Sequence, residues 1–146
     1  MATESDHIAC ANRTQRTIVH LLSDSAVHSP WIATAAFYKA VHVVEAVFAN
    51  DKSVAHTSNH GEREQALKRQ RKYDHICRNF LPLCRASTNA RYLLSCRCFD
   101  EYLSPNDVIA KLLKHHLHQV EKSALQFLTK PGELVSIHAA FSPPQT

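Results

Sequence analysis

Residues 30–49 read PWIATAAFYKAVHVVEAVFA, the most apolar stretch of the chain and the one that decides the fold. Two neighbouring stripes of apolar side chains recur along it at helical spacing. They consist of Ala33, Phe37, Ala40, Val44 and Val47, and of Ile32, Ala36, Val43 and Ala46. A helix that is apolar around most of its circumference lies between other helices. The stretch therefore predicts an α-helical bundle with this helix inside it.

Helical periodicity also marks the segments on either side of this central helix. Ser5 is the expected cap of a first helix that runs to about Leu22. Ser29 and Pro30 form the expected cap and first turn of the central helix, which ends near Ala49. The loop between the two helices is expected to be irregular, because it is rich in serine.

Two further helices are predicted in the second half of the chain. The third runs from Gly61 to about Leu81, where Pro82 should kink or end it, since proline lacks an amide N–H. A continuation follows over residues 83–94. The last helix begins with Ser104 as cap and Pro105 in the first turn, and it extends to residue 128.

The length and composition fit one compact helical domain. A chain of 146 residues can bury a sizeable core, and 45% of its residues are hydrophobic. It contains only two glycines, which argues against an all-β protein with many tight hairpins. The fold class predicted is all-α, an antiparallel bundle of four to five helices over residues 1–130, followed by a C-terminal tail over residues 131–146.

Charge and cysteine content limit the partners and the compartment. The net charge of +4 permits an acidic partner without requiring one. We found no secretory signal and no stretch approaching the roughly 18 apolar residues of a membrane span, so we expect a cytoplasmic protein with no membrane contact. The five cysteines are then expected to be reduced thiols. They are Cys10, Cys77, Cys84, Cys96 and Cys98.

A line of polar residues interrupts the central helix. Thr34, Tyr38, His42 and Glu45 are spaced by four, four and three residues, which places them on one line of the helix surface. Tyr38 and His42 could line a binding surface, with Glu45 orienting His42. Alternatively, the line is a satisfied internal network or the solvent side of the helix.

The segment SNHGER, residues 58–63, has two interpretations. His60 and Arg63 flank a helix start, where unpaired amide groups favour anions such as phosphate. In the simpler interpretation, Ser58 or Asn59 caps the helix, and Gly61 allows the tight entry.

A basic stripe follows on the third helix. Its members recur at intervals that keep them on one face, so they could follow a phosphate backbone, or they could be an ordinary solvated face. They are Lys68, Arg71, Lys72, His75 and Arg78.

Metal binding and cofactor binding are not predicted. His115 and His118 share a helix face, but a site needs at least one more ligand from elsewhere. Cys96 and Cys98 have one residue between them, where zinc-binding pairs usually have two or more. No nucleophile, zinc-protease or phosphate-loop motif occurs.

Three short segments in a fixed order resemble one known family. FYKAVHVVEAVFA at 37–49, SNHGERE at 58–64 and NARY at 89–92 are similar to the HEPN domain (higher eukaryotes and prokaryotes nucleotide-binding) of small bacterial proteins. The resemblance implies a helical bundle that is often dimeric. Many members are RNases of toxin–antitoxin or other defence systems. Others are inactive and bind nucleotides or a partner protein, often a small nucleotidyltransferase.

The chain departs from the RNase members of that family. Those use an Arg followed after four to six residues by a His, near the start of a late helix. Arg13 with His20 and Arg69 with His75 have this spacing, but neither pair lies in the expected place.

The resemblance therefore favours a non-catalytic module that binds a nucleotide, RNA or a partner protein and forms a homodimer. The ligand-binding residues it implies are Tyr38, His42, Glu45, His60, Arg63, Arg91 and Tyr92. The alternative is a metal-independent endoribonuclease, with His42 or His60 as acid or base and Arg63 stabilising the phosphorane. A purely structural dimerisation bundle is the third hypothesis.

Overall fold

The computed structural model describes residues 1–93 and 97–142, and this part of the chain is helical without any strand. Its longer elements are α1 (Glu4–Leu21), α2 (Ser25–Ala49), α3 (His60–Arg69) and α4 (Asp74–Tyr92). Next come α5 (Phe99–Tyr102), α6 (Pro105–Asp107), a π-helical segment (Val108–Leu117) and α7 (His118–Ala124). Short 3-10 turns cover Leu22–Asp24, Arg71–Tyr73, Leu125–Phe127, Pro131–Glu133 and Ile137–Phe141. The all-α class is confirmed.

α1 and α2 form an antiparallel pair. His7 near the start of α1 contacts His42 in the second half of α2, whereas Gln15 further along α1 contacts Lys39. As the residue number increases along α1, the number of the contacting residue in α2 decreases, so the two helices run in opposite directions.

The same order continues across the bundle. α6, the π-helical segment and α7 follow one another without a gap and form the last long helix. His75 of α4 contacts Gln119, and Asn79 contacts His116. α4 and the last long helix are therefore also antiparallel.

α2 lies at the centre of the bundle, as its apolar stripes predict. Most of its side chains in the second half are buried against α1, α4 and the last long helix. The core residues of α2 are Ile32, Ala33, Ala36, Phe37, Ala40, Val41, Val43, Val44, Ala46, Val47 and Phe48.

Two helix starts differ from the prediction. α1 begins at Glu4, because Thr3 and Asp6 form a reciprocal capping box that leaves Ser5 inside the helix. α2 begins at Ser25, since a three-residue 3-10 turn links it directly to α1. Pro30 therefore lies inside α2, and the prediction that Ser29 caps it was wrong.

The break in the second half of the chain is at Gln70, not at Pro82. α3 ends at Arg69, Gln70 is extended, and α4 runs through Pro82 to Tyr92. Tyr73 fixes this break: its ring is buried between Phe48 and Phe127. Residues 83–92 of the predicted continuation are therefore part of α4, Leu93 is its left-handed C-cap, and residue 94 lies outside the described residues.

The last long helix starts as predicted and then departs from α-helical spacing. Ser104 accepts a hydrogen bond from the amide of Asp107, and Pro105 occupies the first turn. The π-helical segment that follows was not foreseen, and such segments are rare. Glu121, a charged residue of this helix, is buried.

The chain after residue 130 packs against the bundle as far as residue 142, and residues 143–146 lie outside the described part. Ile137 is fully buried, while Val135 is exposed. The tail therefore docks through Ile137 and not through Val135.

One helical stretch of the described residues, Glu4–Ala49, passes the length and hydropathy test for a membrane span. The expectation that no stretch would approach this threshold was wrong. The stretch is the α1–α2 hairpin, and 72% of its most apolar window is buried inside the protein. The core helix of a soluble protein passes the same test, so the cytoplasmic location stays a prediction.

Candidate functional site

Glu45 links α2 to the start of α3. Its Oε1 accepts a hydrogen bond from Thr57 Oγ1 at 2.5 Å and one from Arg63 Nε at 2.7 Å. Glu45 and Arg63 are both buried. The carboxylate thus binds Arg63, and the expected orientation of His42 by Glu45 is replaced by a contact between His42 and α1.

His60 completes this chain of contacts at the protein surface. Arg63 Nη1 lies 2.9 Å from His60 Nδ1. Because a guanidinium can only donate, Nδ1 is the acceptor and the ring proton is on Nε2. Burial, followed by the charges of Arg63 and Arg91, lowers the pKa of His60. His60 is therefore a neutral ring near pH 7. Its other nitrogen, Nε2, carries the proton, so it can donate a hydrogen bond and cannot act as a base.

The cap interpretation of residues 58–63 is confirmed. Asn59 Oδ1 accepts the hydrogen bond of the Glu62 amide at 2.9 Å, and Glu62 Oε2 in turn accepts from the Ser58 amide at 2.7 Å. A Cβ at Gly61 would meet Asn59 Oδ1 at 3.3 Å, so glycine permits the close approach of the cap. Arg63 turns inward and does not flank an anion site.

His7 and His42 form a pair that the sequence analysis missed. Their Nδ1 atoms are 3.3 Å apart, and burial is the main cause that lowers the pKa of each ring. In the neutral pair one Nδ1 donates and the other accepts. One ring therefore retains a basic Nε2 and the other an Nε2–H. No local pattern could reveal this pair, because the two histidines lie on different helices and are 35 residues apart in the sequence.

Four exposed side chains lie around the outer end of this network. Tyr38 and His60 have ring centroids 6.5 Å apart. The guanidinium of Arg91 lies 5.2 Å from the ring of Tyr92, and its charge reaches His60. We call Tyr38, His60, Arg91 and Tyr92 the aromatic–basic cluster. It joins the middle of α2, the start of α3 and the end of α4.

Two cavities flank the loop between α2 and α3. One of about 510 Å³ lies between this loop and α3, and it is lined by Glu62 and Arg69 among others. The other, of about 470 Å³, lies between the loop and the start of α1, and His7 and Glu45 line it. His56 contributes to both walls.

Three of the five residues of the basic stripe are bound to neighbouring side chains. All five members are exposed, but the break at Gln70 separates Lys68 from the others. Lys68 pairs with Glu64, Lys72 pairs with Asp51, and His75 contacts Gln119. These contacts favour the interpretation as an ordinary solvated face.

The histidines and cysteines that the sequence analysis considered as metal ligands do not form a metal site in the described residues. Within residues 1–93 and 97–142, no three His, Cys, Asp or Glu side chains are close enough to hold a metal ion. His115 packs on His116, whereas His118 stacks on His138. Cys10, Cys77, Cys84 and Cys98 are free thiols, and Cys96 lies outside the described residues.

A buried ion pair was also missed by the sequence analysis. The ammonium of Lys39 contacts the carboxylate of Glu121, and both side chains are buried. Burial lowers the pKa of Lys39 and raises that of Glu121, while their mutual attraction opposes both shifts. Lys39 is conspicuous as one of two Asp, Glu, Lys or Arg residues in the apolar stretch 30–49, but no spacing in the sequence identifies Glu121 as its partner.

Comparisons of the chain with protein-family models, curated proteins and solved structures gave no match. The functional argument therefore depends on the geometry of the aromatic–basic cluster and the network behind it.

Proposed function

We propose that the protein is a small, non-catalytic helical module that binds a nucleotide or single-stranded RNA at the aromatic–basic cluster. The observation that carries this proposal is the placement of exposed rings beside an exposed guanidinium. Base rings stack on aromatic side chains, and an arginine contacts phosphate. Tyr38, Arg91 and Tyr92 supply both kinds of contact, and the Nε2–H of His60 adds a donor.

The contacts of Arg63 favour binding over catalysis. An RNase would need this guanidinium free to stabilise the charged phosphorane. Arg63 is instead buried and bonded to Glu45 and His60. Its arrangement supports a structural role, in which it holds α3 on α2 and positions His60.

The HEPN-like identity remains part of the proposal. It adds three expectations that depend on the resemblance alone: a toxin–antitoxin or other defence context, a nucleotidyltransferase-type or other protein partner, and a homodimer. The geometry of the cluster supports ligand binding independently of them.

The test is the binding of fluorescently labelled ATP and of a labelled single-stranded RNA, measured by anisotropy. Arg91→Ala and Tyr92→Ala should each weaken binding about tenfold, since a stacked ring contributes about 1–3 kcal/mol. Arg78→Ala is the matched control, because Arg78 is also exposed on α4 but lies outside the cluster. Equal losses in Arg78→Ala and Arg91→Ala, or no binding by the wild type, would contradict the proposal.

A metal-independent RNase is the second candidate, and the His7–His42 pair favours it. A pair of neutral imidazoles that carries one Nε2 base and one Nε2–H acid has the groups such a reaction needs. Incubation of RNA in EDTA tests this candidate, with His42→Ala beside His20→Ala, an exposed histidine of α1. Cleavage lost only in His42→Ala would establish the RNase and overturn the non-catalytic proposal.

A further inference from the structure

The tail is held on the bundle mainly through its backbone. Asn12 of α1 makes two hydrogen bonds to it. Its Nδ2 donates to the carbonyl of Glu133 at 2.8 Å, and its Oδ1 accepts from the amide of Val135 at 2.9 Å. A carboxamide placed in this way recognises an extended chain whatever its side chains are.

Three buried side chains of α1, α2 and α7 continue this recognition. Gln15 donates to the carbonyl of Ser136 at 3.0 Å, and Lys39 donates to the carbonyl of Val135 at 2.8 Å. Glu121 accepts from the amide of Ile137 at 2.8 Å. These side chains are also bonded to one another, since Lys39 contacts both Gln15 and Glu121. The recognition groups are thus fixed in place by the core.

Side-chain selectivity is concentrated at one position of the segment. Ile137 is fully buried, whereas Val135 is 41% exposed. The groove therefore combines backbone recognition over residues 133–137 with one fully buried position for a branched aliphatic side chain, and Leu134 packs partly against the core beside it. This combination is typical of sites that bind extended peptides.

The connection to this segment is short and well defined. Glu4 binds the amides of Thr129 and Lys130, so the chain is fixed up to that point. Pro131 and Gly132 then lead to the groove, and no atom lies within 4 Å of a Cβ built on Gly132. This dipeptide belongs to the 3-10 turn Pro131–Glu133, which is closed by hydrogen bonds from the Glu133 amide to Lys130 and from the Leu134 amide to Pro131, and the turn joins two fixed parts.

We infer that the groove between α1, α2 and α7 is a peptide-binding site, and that its occupant in trans is residues 133–137 of a second copy of this chain. The same segment already fills the groove in cis. Exchange between two copies would keep the hydrogen bonds between the groove and the segment and the Ile137 anchor, and it would open only the Pro131–Glu133 turn, which makes exchange a low-cost route to a dimer. This inference shares no residue with the aromatic–basic cluster and is independent of the proposed function.

The first experiment supplies the segment in trans. A protease site is inserted between Pro131 and Gly132 of the full chain, and the folded protein is cut, unfolded in urea and refolded with excess labelled peptide of residues 131–142. Labelled peptide should elute with the protein on size exclusion, and the same peptide with Ile137→Asp should bind at least tenfold more weakly. A refolded protein that takes up no peptide, or both peptides equally, would overturn the inference.

A second variant decides the question if the cut protein does not refold. Deletion of Pro131 and Gly132 from the uncut chain removes about 7 Å of reach, so residues 133–137 can no longer enter their own groove without strain. Light scattering should then report a dimer, while a variant with two glycines added between Pro131 and Gly132 should be a monomer. A folded monomer in the deletion variant would overturn the inference.

Discussion

Arg63 shows how far the contacts of one residue can depart from its sequence context. Arg63 lies beside a helix start and a histidine, so its sequence context suggests that it binds an anion. The amide groups at that end of a helix favour negative charge. The position of Glu45, eighteen residues earlier on another helix, decides otherwise. Sequence reasoning could predict the Asn59 cap, because its partners are local, but not the direction in which Arg63 turns.

Removing Arg63 should destabilise the fold. Arg63→Ala leaves the buried carboxylate of Glu45 without its cation, and breaking a buried pair in this way costs about 3–5 kcal/mol. Urea unfolding followed by circular dichroism measures the loss. The double variant Arg63→Met/Glu45→Leu should recover most of it. A loss under about 1 kcal/mol in Arg63→Ala would show that the pair contributes little.

The histidines predict an acid-sensitive fold. Burial lowers the folded-state pKa of five of them below 6.5, the ordinary value: His7, His42, His60, His116 and His118. Below pH 6.5 the unfolded chain therefore binds more protons than the folded one, and stability falls as the pH falls.

The urea midpoint should accordingly be constant above about pH 7.5 and should decrease towards pH 5.5. His42→Asn should reduce this decrease, whereas the exposed His20→Asn should leave it unchanged. A midpoint that stays constant or rises towards pH 5.5 would contradict the lowered pKa values of these histidines.

The break between α3 and α4 shows how tertiary contacts override a local signal. Pro82 is the strongest helix-breaking residue in that region, yet α4 runs through it. The break lies at Gln70 because Tyr73 is anchored, its ring by Phe48 and its hydroxyl by Asp51 Oδ2. The sequence predicts that a helix is present in each part, while long-range packing decides where it stops.

Two substitutions compare these positions. Tyr73→Phe keeps the ring and removes the hydrogen bond to Asp51, which should cost about 1–2 kcal/mol. Pro82→Ala should leave stability unchanged or raise it, because alanine restores a helical amide. Thermal unfolding measures both. A larger loss in Pro82→Ala than in Tyr73→Phe would contradict the observed position of the break.

At the scale of the whole molecule, the apolar pattern predicts the bundle but not its internal polar contacts. The stripes of α2 indicate a central helix, and the structure confirms it. Lys39 and Glu121 belong to different helices, so no sequence spacing relates them. The π-helical segment before α7 also shifts the faces that an α-helical period predicts for the last long helix.

The buried Lys39–Glu121 pair should be costly to break. Lys39→Met leaves a buried carboxylate unpaired and should destabilise the protein by about 3–5 kcal/mol. Lys39→Met/Glu121→Leu should restore only part of that stability in urea unfolding, because Gln15, the Val135 carbonyl and the Ile137 amide lose their partners. It should also accelerate hydrogen exchange of residues 133–137, since both groups bind that backbone. Unchanged exchange there would contradict the role of the pair in holding the tail.

The binding of labelled single-stranded RNA and ATP by wild type, Arg91→Ala and Arg78→Ala tests the central claim most directly. The account predicts saturable binding by the wild type, a loss of about tenfold in Arg91→Ala and little change in Arg78→Ala. An equal effect of the two substitutions would indicate only a diffuse attraction to positive charge. No binding of either ligand by the folded wild type would contradict the claim that the aromatic–basic cluster is a ligand site.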